Sequence, residues 1–479
     1  MKIITLFTLS LVIFGPCLLH SESMPVRPNI LWLVVEDQSK HYGFNGEKLV
    51  RTPVIDALAN QGVVFTNASV TAPVCSTARS ALITGMFQTS IGAHHHRSGR
   101  GVEKIQKPDH VKLIPEFFKK AGYYTALGGK SDYNFVWDSS IFDARDWSGR
   151  KKGQPFFAKI CLSGGKARKQ ARKSKTIPHV TASDVKLPPY YPRHPVVLED
   201  WAAYLDTFTL MDQQVGQIID RLKKEGEYEN TVIFFITDHG VSHARGKQFC
   251  YDEGMMIPFF VHGPGRVKGG AVRQDPVLHI DLAATSLYFA GIEVPKYMES
   301  QSLFGPNFKA RTYAISARDR CDETYDQIRA VRTRGYKYIR NGYPDRPHLQ
   351  PCAYKDNKGT YIAIREWGKQ GKLSELQEKL LLALTRSEEE LYDLKKDPWE
   401  LNNLVDNPKY QKTLGEMRQS LDKWIQQSGD QGQTVESEEM YDSDMKVYLQ
   451  GMIKSGRSER FDEIKKNISL MKKWWKEGK

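Results

Sequence analysis

The sequence predicts an α/β fold. A mostly parallel sheet is flanked by helices on both faces, and a smaller C-terminal α+β domain contains an antiparallel sheet. Three observations predict it. Residues 30–35 (ILWLVV) and 231–236 (TVIFFI) are unbroken apolar runs, the pattern of strands buried on both faces. Between them, residues 201–224 carry Leu205, Phe208, Met211, Val215, Ile218, Ile219 and Leu222 at helical spacing. After Ile328 the pattern changes to short paired strands around Arg334-Gly335 and then to irregular charged segments.

Each element follows from local chemistry. Thr52 and Pro53 suit a helix start, with Val54, Ile55, Leu58 and Ala59 on one face and Gly62 as the expected C-terminal cap. Residues 76–83 suit a second helix closed near Gly85, with Cys75 at its N-terminus behind Pro73. Residues 258–261 (PFFV) form a further apolar strand. Helices alternating with such strands imply a sheet covered on both sides. Residues 391–394 precede a turn at Asp397-Pro398, and the last segment is polar and partly helical. The division places a signal segment at 1–22, a catalytic domain at 25–320, and a smaller domain with a charged tail at 321–479.

The chain of 479 residues is long for one core, and its 40% apolar and 26% charged composition is that of a globular protein. A short basic start, an apolar run to Leu19 and a polar segment read as a secretory signal, so a secreted or periplasmic protein is expected. No later run is long enough to span a membrane, and no membrane insertion is expected. Cys17 leaves with the signal. Five cysteines remain, and an odd count leaves one free, modified or intermolecular. The other four either pair or stay buried. The formal charge of +13 is concentrated at residues 166–175 (KARKQARKSK) and in the tail after Lys454. Such a field draws in polyanions. No nucleic-acid-binding motif is present, and no nucleic acid partner is expected.

Ligands of α/β sheets bind beyond the carboxyl ends of the strands. Two strands deliver hard ligands there, Glu36-Asp37 and Asp238-His239. Three carboxylates in one cleft repel each other unless a cation joins them, and oxygen donors favour Ca²⁺ or Mg²⁺. Arg79 lies one helical turn from Cys75 and is placed to reach back over it. His94, His95, His96 and Arg97 follow that helix, either at the surface or behind the site.

Residues 72–85 (APVCSTARSALITG) resemble the signature of type I sulfatases, a cysteine and an arginine four residues on, followed by a small-Leu-Thr-Gly tail. The resemblance extends along most of the chain. Residues 27–31 with the two acids, 52–59, 121–130 ending in Lys130, 237–240 with Lys247, 279–283 and 390–394 are all similar to landmarks of that family. The Pro-rich segment 187–192 is similar to the heparan N-sulfatase branch. The resemblance implies an alkaline-phosphatase-like fold and a hydrolase of sulfate esters on sulfated sugars, such as a glycosaminoglycan or ulvan. It implies that a formylglycine-generating enzyme converts Cys75 to formylglycine, whose hydrate attacks sulfur. It implies a cation held by Glu36, Asp37, Cys75, Asp238 and His239, with Arg79, Lys130 and Lys247 neutralising charge.

Four positions depart from the family pattern. Thr77 stands in place of Pro or Ala, Glu36 in place of the first Asp, and Asp132 in place of a histidine. Gly164-Gly165-Lys166 stands where another histidine follows the Pro-Phe-Phe strand. His243 is the candidate general acid for the leaving alcohol. Two other readings remain: a phosphodiester or phosphonate hydrolase of the same superfamily, and a non-catalytic binder of sulfated glycans.

Overall fold

The computed structural model describes residues 27–478; the signal segment and Cys17 lie outside the described residues. In chain order the strands are β1 (Asn29–Val35), β2 (Val63–Phe65), β3 (Ala68–Ser69), β4 (Tyr124–Gly128), β5 (Phe156–Leu162), β6 (Thr231–Thr237), β7 (Phe259–His262), β8 (Ala271–Arg273) and β9 (Val277–Leu278). Four more follow, β10 (Ala314–Arg318), β11 (Ile328–Arg332), β12 (Tyr336–Asn341) and β13 (Glu389–Asp393). The central sheet has seven strands in the order β4-β5-β1-β6-β7-β2-β8. The run β4-β5-β1-β6 is parallel, as expected. β7 runs against both its neighbours. The segment between β6 and β7 holds a single helical turn, Asp252–Met255, and folds back over the end of β6 instead of crossing the sheet.

The missing alternation of β1 has a simple cause: both its faces are core. Leu31, Leu33 and Val35 join one buried cluster, and Ile30, Trp32 and Val34 join the other. On the first face lies the long helix Pro195–Lys224, which contributes Trp201, Leu205, Phe208, Met211, Val215, Ile219 and Leu222. It begins ahead of its periodic stretch because Pro195 takes the first position and the His194 ring accepts the Val196 N–H. Periodicity marks only the part of the helix that rests on the sheet. On the second face lie the helices Cys75–Thr84 and Asp281–Phe289.

The antiparallel sheet has the order β10-β11-β12-β13, and it begins ahead of the division placed at 320. Residues 314–318 (AISAR) are too small and polar to announce a strand. They are recruited by pairing with β11 and by the Ala317 N–H, which donates to the Thr71 carbonyl. The antiparallel sheet shares core with the larger domain: Ala81 and Phe87 of the helix Cys75–Thr84 and its loop, with Leu278 of β9 and Ile280, pack with Ile315, Val331, Tyr338 and Trp424. The tail folds into the helices Glu438–Lys454 and Phe461–Lys476, held by a cluster of Tyr325, Tyr441, Met445 and Met471. Among the described residues, no helix is long and apolar enough to cross a membrane.

The basic run at 166–175 is not one solvated face. Lys166 pairs with Glu36, Arg168 with Asp200, and Arg172 with Asp206. The cysteines at 75, 161, 250, 321 and 352 are all free thiols.

Gly62 is not the left-handed cap its position suggested. Gln61 ends the helix Pro53–Asn60 in the right-handed region. The constraint at Gly62 is space: a Cβ there would lie 2.4 Å from the Val261 carbonyl oxygen and 3.1 Å from that of Leu58. Gly62→Ala is therefore expected to cost about 1–3 kcal/mol through overpacking. Urea denaturation should show a lower midpoint with an unchanged m-value. An unchanged midpoint would mean that β7 shifts freely.

Candidate active site

β1 and β6 run parallel in register, with Val35 opposite Thr237. The next residues, Glu36-Asp37 and Asp238-His239, therefore leave the sheet side by side. The Asp238 N–H donates to the Val35 carbonyl and the Glu36 N–H to that of Leu162, so both exits are pinned to the sheet. Asp37 adopts a left-handed backbone with φ 53°, tolerable for an aspartate, and its N–H donates to Asp238 Oδ1 at 3.1 Å.

Cys75 opens the helix Cys75–Thr84, whose N-cap Val74 is extended, and it is 1% exposed. Its Sγ lies 3.1 Å from His239 Nε2 and 2.9 Å from Lys247 Nζ. Asp37 Oδ1 and Lys166 Nζ are each 3.8 Å away. Burial opposes ionisation of this thiol, but Lys247, His239 and Lys166 outweigh it and bring the pKa down to about 6.

The cations come from three directions. Lys247 is fixed by its backbone, whose N–H donates to Val241, while the next N–H, of Gln248, donates to Pro73 just ahead of the cysteine helix. Its ammonium also meets Asp37 Oδ1 at 3.2 Å. Arg79 is fully buried and does not fold back over Cys75 as expected. Its fork grips Asp238 Oδ2 through Nε at 3.0 Å and NH2 at 2.9 Å. NH2 also lies 3.4 Å from Glu36, and NH1 donates to the Lys130 carbonyl at 3.1 Å. Lys130 reaches Glu36 at 3.5 Å and Asp132 at 2.6 Å.

Sequence reasoning missed Lys166, which pairs with Glu36 and lies 4.0 Å from Asp37. Its signal was available: it follows the carboxyl end of β5, the location that revealed the two acidic pairs. Gly164 and Gly165 let its loop lie on β1, since a Cβ at either would come within 2.1 or 2.2 Å of the Glu36 or Asp37 carbonyl. The Gly165 N–H donates to Glu36 O at 2.8 Å.

Four of the five expected ligands converge: single donor atoms of Asp37, Cys75, Asp238 and His239 all lie within 4.8 Å of one another. Glu36 stands beside this quartet and faces Lys166, Lys130 and Arg79. The quartet fits a cation. His239 Nδ1 lies 2.8 Å from the Gly240 carbonyl, an acceptor, so Nδ1 carries a proton and Nε2 faces the cluster. Burial opposes a second proton on this ring, yet Asp238, Cys75 and Asp37 carry its pKa up to about 10. The pocket thus demands positive charge at that point. Burial likewise pushes the Asp37 and Asp238 carboxyls up. Lys247, Lys166 and His239 hold Asp37 well below the usual carboxylate range, and His239 and Arg79 do the same for Asp238.

The structure does not bring His243 to Cys75. Its Nε2 meets Asp200 at 2.8 Å and Arg168 at 3.2 Å, and its ring stacks on Trp201. Burial brings its pKa down to about 4 against the pull of Asp200. His94, His95 and His96 are buried, and His96 Nδ1 lies 2.8 Å from Ser76 Oγ. Thr77 turns its hydroxyl onto the Val74 carbonyl.

The sulfatase family profile matches residues 28–146 and 130–292. An ulvan-active sulfatase of Formosa agariphila is 34% identical over 463 residues, covering 87% of this chain and 77% of its own. The N-sulphoglucosamine sulphohydrolase of Homo sapiens is 24% identical over 468 residues, covering 83% of this chain and 90% of its own. A solved 2-O GAG sulfatase superposes with a TM-score of 0.63 at 21% identity, over 86% of this chain and 94% of that one.

Arg79→Ala should cost about 3–5 kcal/mol of unfolding free energy, because it strands buried carboxylates without their partner. Arg79→Lys should recover less than half of that loss, since an ammonium cannot span Asp238 and Glu36 as the fork does. Chemical denaturation of both variants checks this, and equal stability of Arg79→Lys and the parent would refute the bidentate role.

Proposed function

This chain belongs to the sulfatase family, and from that premise we propose that it releases sulfate from sulfated polysaccharides through formylglycine at position 75 and a divalent cation. The observation that carries the reading is the position of Cys75 at a helix N-terminus, within 3.1 Å of His239 and 2.9 Å of Lys247 and beside the Asp37–Asp238 pair. Oxidised to formylglycine, residue 75 would supply a hydrated aldehyde as nucleophile. Calcium or magnesium, held by Asp37, Asp238, His239 and residue 75 with Glu36 alongside, would supply Lewis-acid neutralisation of charge.

The chain's own residues divide the remaining work. Lys247 places a fixed positive charge on the nucleophile and on Asp37 together. Arg79 holds Asp238 and Glu36 in their orientation and touches neither solvent nor the mouth of the site. Lys166 and Lys130 stand at the mouth, 36% and 28% exposed, where they would meet the outer oxygens of an incoming sulfate. Their site is deep and cationic, which favours a sulfate on a projecting sugar substituent. The names of the relatives support a glycosaminoglycan or ulvan as substrate class. The signal-like first segment supports export, and maturation would require a formylglycine-generating enzyme.

The first test is the mass of the Cys75 peptide from a host expressing that enzyme. Conversion lowers it by about 18 Da. The matured protein should release sulfate from ulvan or heparan oligosaccharides, lose activity on chelation, and regain it with Ca²⁺ or Mg²⁺. A plain thiol from a competent host, or faster turnover of a phosphate diester than of any sulfate ester, would overturn the reading. Lys166→Ala should lower kcat/KM by roughly 100-fold on sulfate esters while the protein stays folded. A loss under about threefold would remove Lys166 from the catalytic apparatus.

A further inference from the structure

A cavity of about 250 Å³ that the sulfate chemistry does not use lies between the loop after the cysteine helix and the C-terminal tail. One wall is the loop that follows the cysteine helix, with Arg97, Arg100 and, from across the loop, Asp322. The other is the tail helix Glu438–Lys454, which turns Met445, Tyr448 and Met452 inward at helical spacing, with Arg457 just past its end. The tail helix is firmly seated. Asp444 accepts the Gly99 and Arg100 N–H groups at 3.2 and 3.0 Å, and Ser443 Oγ accepts that of Glu103 at 2.9 Å.

Two short chains of contacts join this cavity to the active site. The Arg97 N–H donates to Ser76 Oγ at 2.8 Å, next in sequence to Cys75. Arg97 holds a left-handed backbone, φ 58°, to make that bond, a conformation that persists only where its surroundings enforce it. Arg100 meets Asp132 at 2.5 Å, Asp132 meets Lys130, and Lys130 meets Glu36. The cavity lining is therefore coupled through Ser76 to the start of the cysteine helix and through Asp132 and Lys130 to Glu36.

The lining shows what it would hold. Four arginines face two aspartates there. Arg320 and Asp444 satisfy each other with the help of Glu436, and Arg100 is paired with Asp132, which leaves Arg97 and Arg457 with Asp322. Arg97 approaches Asp322 only to 3.7 Å. Arg97 Nε and Asp322 Oδ1 are both buried without a hydrogen-bond partner, one a donor and the other an acceptor. An orphan donor beside an orphan acceptor, with the Arg457 guanidinium and an apolar wall opposite, matches a ring that carries an anionic group, a hydroxyl and a C–H face.

We infer that this cavity is a subsite for an anionic sugar group, a carboxylate or a second sulfate, on the unit that bears the scissile sulfate or on its neighbour. The inference rests on the sulfatase reading for the identity of the site beside it. Arg97 and Asp322 bind the anion and a hydroxyl, Arg457 adds charge from the tail, and Tyr448 and Met445 cover the ring. The tail helix is thus a specificity element of the substrate site.

The test uses matured full-length enzyme and two substrates: 4-nitrophenyl sulfate, which has no second anion, and a sulfated oligosaccharide containing uronate. For Arg97→Ala, the ratio of kcat/KM on the oligosaccharide to that on the aryl sulfate should fall by about 10- to 100-fold, chiefly through KM. Arg457→Ala, a surface change that leaves the core intact, should lower the same ratio by about threefold or more. Carboxyl reduction of the oligosaccharide removes the dependence on Arg97 if a carboxylate is bound. Removal of its second sulfate does so if a sulfate is bound. If neither treatment alters that dependence, or if both variants leave the ratio unchanged, the subsite is refuted. Binding of the oligosaccharide to Cys75→Ala, by calorimetry, separates this from the sulfatase reading. No sulfate release by the parent together with Arg97-dependent binding would sink the enzyme and keep the subsite. Release without Arg97 dependence would do the reverse.

Discussion

The compensation of buried carboxylates by fixed cations is the interaction on which this structure depends. Glu36, Asp37 and Asp238 are at most 6% exposed and crowd one end of the central sheet. Such acids are tolerable in a core only when each charge is answered at short range. Arg79 answers Asp238 and part of Glu36, Lys247 answers Asp37, and Lys166 and Lys130 answer the rest of Glu36. Each of these cations is delivered by a different segment. The acids thereby tie the cysteine helix, the end of β4, the loop after β5 and the loop after β6 into one body. What remains after this pairing is the quartet of Asp37, Cys75, Asp238 and His239, whose donor atoms lie within 4.8 Å of one another and fit a cation in addition to the site's own side chains.

The parallel pairing of β1 with β6 makes that concentration of charge possible. Parallel strands in register end together, so the residues just past their ends are neighbours by construction, while antiparallel partners would send them to opposite edges. β5 ends at the same level, which is why a lysine just beyond it can reach Glu36. The reversed strand β7 has a complementary effect. Its return connection lies over the end of β6 and carries Lys247 back to Cys75.

Much of this was legible in the sequence because it rested on local rules. Unbroken apolar runs gave β1 and β6, and acids directly after such runs gave the carboxylate site. A cysteine between Pro73 and a helical segment gave the place of Cys75 at a helix N-terminus, while its candidate role as nucleophile came from the family resemblance. What escaped was set by distant contacts. The partners of Arg79 come from other segments, and the helix alone suggested a reach back over Cys75. His243 looked available because no local feature announces Asp200 on the long helix or the stacking of Trp201. Gly62 read as a cap because the approach of the Val261 carbonyl is a property of the sheet. β10 was missed because its strand character comes from β11 and Thr71. Lys166 was in view, but as a departure from a family pattern; its place after a buried strand was the better guide.

The formal charge of +13 shows the same limit from another side. Read as composition, it suggests a basic surface concentrated in the run at 166–175 and in the tail. Lys166, Arg168 and Arg172 are in fact committed to acids of the fold. A cation paired inside the protein contributes little to the field an approaching ligand meets, whereas a partly exposed arginine beside an unsatisfied acceptor contributes both field and direction. By that measure the relevant positive charge lies at Arg97, partly exposed beside Asp322, and at Arg457 of the tail. Those residues are spread across three segments and come together only in the folded chain. Net charge favours a polyanion in general. The arrangement of partnered and unpartnered cations decides which part of a polyanion the site can grip.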